Sequence, residues 1–295
     1  MPAVSTLGLV AAVSEAGALG MLPGTMMAPA DLDRSCAELS SRTSGPFGVN
    51  FLMPFLDPDA VAVAARGARV VEFFYDEPRG DLIEMVHGHG AVAGWQVGSL
   101  AEARAAHKAG CDYVIAQGTE AGGHVRGSRA LRDLLASVVG ALDLPVLASG
   151  GIATGKAVAG VLSAGAAGVR VGTRFLASEE SDAHVDYVEA VVGAQAGETC
   201  LTEAFHIEWP NAPHRVLRSA VVAAEAAPDG VIGETSVGEQ SVPVERFSVL
   251  PPSADATGRV DVMALYAGES VTDIHDVRRA AQIVADLTSE LDHCD

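Results

Sequence analysis

Basic residues are scarce in this chain: 19 Lys and Arg stand against 38 Asp and Glu, a formal charge of −19 over 295 residues. A surface of that sign repels phosphate backbones and anionic lipid, so neither nucleic acid nor a membrane is expected as a partner. Cysteine is sparse as well. Cys36, Cys111, Cys200 and Cys294 lie far apart and form no CxxC pair, which points to reduced thiols rather than a disulfide framework or a zinc site. No N-terminal stretch combines a basic end, an apolar run and a cleavage site, so no signal peptide is expected. Apolar stretches such as 158–171 are rich in Ala and Gly, interrupted by Arg170, and too short to span a bilayer. What remains is the profile of a cytoplasmic globular protein, 49% hydrophobic and 19% charged.

One rhythm fills the first 175 residues. Short β-type apolar runs fall at 18–22, 47–53, 69–75, 92–97, 113–117, 145–149 and 168–172, with segments of helical spacing at 6–16, 30–42, 59–66, 81–87, 100–109, 131–142 and 154–164. Strands that alternate with helices and are nearly continuous in apolar residues predict a parallel sheet covered on both faces. Ser99 and Thr154 are expected N-caps, and Gly110 and Gly165 stand where helices should end. The even repeat favours an α/β fold of the (β/α)8 TIM-barrel type over an open doubly wound sheet. Only seven strands are found where a closed barrel needs eight, so the first strand is expected to be missing or shortened. Beyond the barrel (1–177), the expected division is an inserted helical and loop lid (178–270) and a C-terminal helix returning to the barrel (271–295). Within the lid a helix is expected at 184–194 and a long loop over 226–258; the last helix is expected at 274–291.

In such a barrel the chemistry collects where strands end. Two strand ends are glycine-rich beside a helix start, Ala148-Ser149-Gly150-Gly151 and Val171-Gly172-Thr173-Arg174. Free N–H groups there favour an anion and would suit a phosphate, although two tight turns explain the same glycines. A third strand end reads Ala116-Gln117-Gly118-Thr119-Glu120-Ala121-Gly122-Gly123-His124. Gln117 can donate and accept at one site, Gly122 and Gly123 let backbone approach a flat ligand, and His124 can serve as base or donor near neutral pH. His87-Gly88-His89 reads as a solvated turn rather than a metal site, and Trp209, His206 and His214 either line the lid or simply pack it.

The run 116–124 resembles the signature of the nitronate monooxygenase family, formerly called 2-nitropropane dioxygenases. The resemblance continues through Gly150-Gly151-Ile152, Gly172-Thr173-Arg174-Phe175, Trp209-Pro210-Asn211-Ala212-Pro213-His214-Arg215 and Met263-Ala264-Leu265-Tyr266-Ala267-Gly268. It implies an FMN-dependent barrel that oxidises alkyl nitronates with O2 to carbonyl compounds and nitrite, and it allows a homodimer. By the same resemblance His124 is the catalytic residue. Asn50, Gln117 and Gly122 match flavin-contacting positions, and Gly150, Gly151, Arg170, Val171, Gly172 and Thr173 match the ribityl-phosphate site. No metal is implied. Flavin reductases using NAD(P)H on quinones or enoyl thioesters share the Glu-Ala-Gly-Gly-His signature and remain an alternative, as does a flavin-binding barrel without turnover. Three departures stand out: only Met1 and Pro2 remain of the family's first strand, Phe73-Phe74-Tyr75-Asp76 stands where many members carry a strand-end His, and Glu269 replaces the Gln that commonly follows Tyr-Ala-Gly.

Overall fold

The computed structural model describes residues 4–237 and 240–291; Met1, Pro2 and Cys294 lie outside them. The repeat resolves as α1 (Leu7–Glu15), β1 (Gly20–Pro23), α2 (Pro29–Arg42), β2 (Phe47–Leu52), α3 (Pro58–Gly67), β3 (Val70–Phe74), α4 (Gly80–Gly88), β4 (Val92–Val97), α5 (Leu100–Ala109) and β5 (Tyr113–Gln117). After the two-residue strand β6 (Gly123–His124) it resumes with α6 (Leu131–Val139), β7 (Val146–Ser149), α7 (Gly155–Ser163), β8 (Gly168–Arg170) and the short α8 (Thr173–Leu176). Every expected strand and helix of this part is present. Ser99 and Thr154 cap α5 and α7 by accepting from Glu102 N and Ala157 N, and Gly110 ends α5 at φ +93°.

The seven long strands form one parallel sheet in the order β1-β2-β3-β4-β5-β7-β8. That order follows the chain without reversal, which is the barrel arrangement and excludes the doubly wound alternative. Residues alternate between two faces. Val49, Phe51, Val71, Phe73, Trp95 and Val114 pack with helix residues such as Leu32, Val61 and Leu82, while Val70, Tyr113 and Ile115 form a separate cluster with no helical member. The second face is therefore the concave interior.

A charged pair crosses that interior. Glu72 of β3 accepts from Arg170 of β8, and its other oxygen accepts from Tyr113 Oη at 2.7 Å. In a flat sheet β3 and β8 would lie four strand spacings apart, roughly 19 Å. That is beyond the reach of these side chains, so the pair shows that the sheet curls upon itself. Gly94 makes the room: a Cβ there would lie 2.3 Å from the Tyr113 ring. Among the described residues no pairing joins β8 to β1, so the barrel has seven strands and an open seam. At the seam's outer side α11 (Ala280–Thr288) packs against α1 and α7. This last helix is shorter than expected, because residues 269–279 form a 3-10 turn and an Arg/Asp-paired loop before Arg279 caps it.

Residues 178–274 carry most of a second apolar core, built on Tyr187, Val191, Phe205, Leu217, Leu265 and Ile274 and joined by Leu176 of α8. It holds α9 (Val185–Gly193), β9 (Thr199–Thr202), β10 (His214–Leu217) and α10 (Arg218–Ala226). The expected loop over 226–258 is corrected by the structure: β11 (Val231–Val237) and β12 (Gln240–Glu245) form an antiparallel pair, with β13 (Thr257–Gly258) alongside. Of these strands only Thr235 and Val244 are buried. A sheet so exposed needs no apolar alternation, and for that reason its sequence reads as loop.

Candidate active site

β5 ends at Gln117 and the chain returns through a tight loop into β6, which pairs antiparallel with β10, His124 facing His214. Gln117 Nε2 donates to the His124 carbonyl at 3.0 Å, fixing the strand end to the new strand. Two buried polar atoms in this unit have no hydrogen-bond partner: Gln117 Oε1 and His124 Nε2. Buried polar atoms are ordinarily satisfied, so this orphan pair is the candidate point of ligand contact.

Aromatic rings enclose the His124 imidazole. Trp209 stacks on it at 4.0 Å and 25°, His214 and Tyr266 sit at 5.2 and 5.6 Å, and Tyr75 meets it edge-to-face at 6.0 Å. Burial among these rings, reinforced by His214, holds the His124 pKa down to about 3, so the imidazole is neutral at physiological pH. His214 is fully spoken for. Its Nε2 accepts from Phe205 N at 3.3 Å, which places the proton on Nδ1, within 2.8 Å of the Ala212 carbonyl. His214 is thus a packing residue, and His124 is the histidine left with an open valence.

The rest of the signature loop is scaffold. Both Glu120 carboxylate oxygens accept from Leu131 N, the first residue of α6, at 3.0 and 2.9 Å. The N-cap of α6, Ala130, has no side chain to do so, and Glu120 supplies the anion its N-terminus favours. Gly122 lies against the Ala267-Gly268 backbone, where a Cβ would come within 2.5 Å of Gly268 N. Gly268 N in turn donates to Thr173 Oγ1 at 3.0 Å. Glu269, which stands in place of the family's usual Gln, faces Arg215 at 3.1 Å; Arg215 also donates to Thr119 O and Thr199 Oγ1.

Most of the residues singled out in the sequence converge. Gly150 (φ +120°) and Gly151 (φ +69°) turn in the left-handed region beside Ala121 and Glu120, and the Gly122–Gly268–Thr173 chain adjoins them. The N-terminus of α7 opens four residues further on. Gly172 N-caps the short α8, preceding Thr173. Two residues stand differently. The Arg170 side chain is turned into the barrel onto Glu72, and Val171 packs with the main core, so each has only backbone to offer a ligand. Asn50 lies on β2 beside Glu72 in register, its carboxamide without a partner among the described residues. The rings around His124 were only partly visible in the sequence, since Tyr75, Trp209 and Tyr266 come from three separate segments. Glu72 was missed, although an acid between Val70 and Phe74 at alternate positions is a polar group aimed at the apolar interior. His87 pairs with Asp112 at 2.9 Å, and no cluster of three metal-binding side chains occurs among the described residues.

The nitronate monooxygenase family model matches residues 1–66 and 59–290. The chain belongs to that family. It is 34% identical over 72% of its length to a 5-hydroxy-7a-methyl-1-oxo-octahydro-1H-indene-4-carboxyl-CoA dehydrogenase of Rhodococcus jostii, of which the match spans 60%. Nitroalkane oxidase from Streptomyces ansochromogenes superposes with a TM-score of 0.79 at 29% identity, over 99% of this chain and 93% of that one. FabK from Thermotoga maritima gives a TM-score of 0.78 at 30% identity, over 98% and 90%. These relatives are named for oxidoreductase reactions on small molecules or are barrel proteins of the same build. No described helix is long and apolar enough to cross a membrane.

Proposed function

We propose that this family member binds FMN at the barrel mouth and oxidises alkyl nitronates with O2 to a carbonyl compound and nitrite. The observation that carries the reading is the orphan pair, Gln117 Oε1 and His124 Nε2, at the two ends of one strand-to-strand turn. Bound FMN would supply the electron-accepting, oxygen-reactive ring. Gln117 would offer its unpartnered Oε1 and Asn50 its unpartnered carboxamide to the edge of that ring, and Gly122, packed on the Ala267-Gly268 backbone, would offer it main chain. Gly150, Gly151 and Gly172, with the backbone of Arg170 and Val171 and the Thr173 hydroxyl, would hold the ribityl phosphate. The residues present fit the group: glycine backbone at left-handed angles suits an anion, and the acid nearby, Glu269, is neutralised by Arg215.

His124 is the catalytic residue in this reading. A neutral imidazole shielded by Trp209 can donate one hydrogen bond to a nitronate oxygen and hold the anion beside the flavin. Segment 178–270 then works as a cover over barrel 1–177, since Trp209, His214 and Tyr266 come from it. The partners are a small-molecule substrate and O2, the setting cytoplasmic, and a homodimer is compatible with the fold.

A second reading is favoured by the 34% identity to a dehydrogenase acting on a CoA ester. It takes NAD(P)H as reductant and a quinone or enoyl thioester as acceptor at the same flavin. Anaerobic absorbance of the FMN-loaded protein separates the two: bleaching by propyl-2-nitronate alone supports the monooxygenase, and bleaching by NAD(P)H alone moves the protein to the reductases. His124→Ala should slow the supported reaction by roughly 10²–10⁴-fold. An unchanged rate removes the role given to His124.

A further inference from the structure

Tyr75 directly follows β3 and holds φ at +80°. A bulky side chain in that region is strained and persists only where its surroundings fix it, and such strain gathers at functional sites. Here four groups fix it. Trp209 lies 4.5 Å away ring to ring, Phe74 edge-to-face at 5.2 Å, and His124 at 6.0 Å. The Arg126 guanidinium sits 5.9 Å from the ring centroid, itself held by Glu102 at 2.7 Å and Glu77 at 3.3 Å.

The hydroxyl has no hydrogen-bond partner among the described residues and, unlike Gln117 Oε1 and His124 Nε2, is not closed off from solvent. A donor open to an arriving ligand therefore sits on a ring 6.0 Å from the His124 imidazole, whose Nε2 is unpartnered. The two arginines nearest the His124 loop, Arg126 and Arg215, are both committed to carboxylates. An anionic oxygen arriving here meets neutral donors rather than a free cation.

We propose that Tyr75 is a second substrate-contacting residue, its O–H donating to one oxygen of the nitronate while His124 serves the other. The assignment rests on the nitronate reading above. A nitronate carries two oxygens on one nitrogen, so two donors from different strands can each take one and fix the plane of the molecule. A thioester or ketone offers a single oxygen and gains only one of these bonds.

Tyr75→Phe keeps the ring against Trp209 and Phe74 and removes only the O–H. FMN-loaded wild type and variant are titrated anaerobically with propyl-2-nitronate and, separately, with neutral 2-nitropropane; saturation of the flavin absorbance change, whether a spectral shift or a reduction rate, gives Kd. The variant is expected to keep wild-type flavin content and to weaken nitronate binding about tenfold, as for one lost charge-assisted hydrogen bond. Binding of 2-nitropropane should weaken about threefold at most, and Tyr75→His, which restores a donor, should recover most of the nitronate affinity. A nitronate Kd within about twofold of wild type overturns the proposal, and so does equal weakening of both ligands, which is the signature of packing alone. A wild type with no saturable response to nitronate overturns the nitronate reading itself, an outcome distinct from the other two because they require a responding wild type.

Discussion

The buried, neutral His124 makes a prediction about stability that needs no substrate. Its pKa is about 3 in the folded chain against an ordinary value of 6.5. Between those values the unfolded chain binds a proton that the folded chain refuses, so stability falls as pH drops below 6.5. From pH 7.5 to pH 5.0 the loss from this one group is about 2 kcal/mol, because the unfolded imidazole is then more than nine-tenths protonated and the folded one is not. His124→Asn carries no titrating group and is spared this loss. The His214 pKa is depressed by burial as well, but that contribution is common to both proteins. Urea unfolding of flavin-free wild type and variant at the two pH values gives the difference directly. Wild type should lose about 2 kcal/mol more than His124→Asn on acidification. Equal losses, to within about 0.5 kcal/mol, would refute the claim that enclosure by Trp209, His214 and Tyr266 keeps the imidazole uncharged. A bound anion facing Nε2 favours the imidazolium and should shrink the wild-type loss.

Other perturbations probe the scaffold and the cradle. Glu72→Gln leaves the Arg170 guanidinium facing an uncharged partner inside the barrel and should cost about 3 kcal/mol by urea titration at pH 7.5; a cost below about 1 kcal/mol would mean that water reaches the pair through the open seam. Glu120→Ala removes the acceptor at the α6 N-terminus and should cost about 1 kcal/mol, with flavin content unchanged. Gly172→Asp puts a carboxylate where the phosphate is expected and should abolish FMN retention through desalting; a stoichiometric flavin peak would withdraw that site.

The barrel was legible in the sequence because its central strands are buried on both faces, so apolar runs and capping residues such as Ser99 and Thr154 report it directly. The β11–β12 pair was not, since a sheet exposed on most of its surface imposes no period on its residues. The site divides in the same way. Its glycines and Gln117–His124 lie on short contiguous motifs, so adjacency in the chain predicted adjacency in space. The enclosure of His124 draws on the residue after β3, on the turn before β10 and on the segment after the 3-10 turn at 260–262, and no spacing rule links those segments. Arg170 shows the converse limit. Its place in a motif suggested a phosphate ligand, whereas strand alternation alone puts Gly168 and Arg170 on the same face as Leu147 and Ser149, the interior, where Glu72 waits. Parity along a strand constrains a side chain more tightly than membership in a motif does. The same parity leaves Gln117 Oε1 aimed inward without a partner, and a buried orphan of that kind is what the proposed flavin site would satisfy.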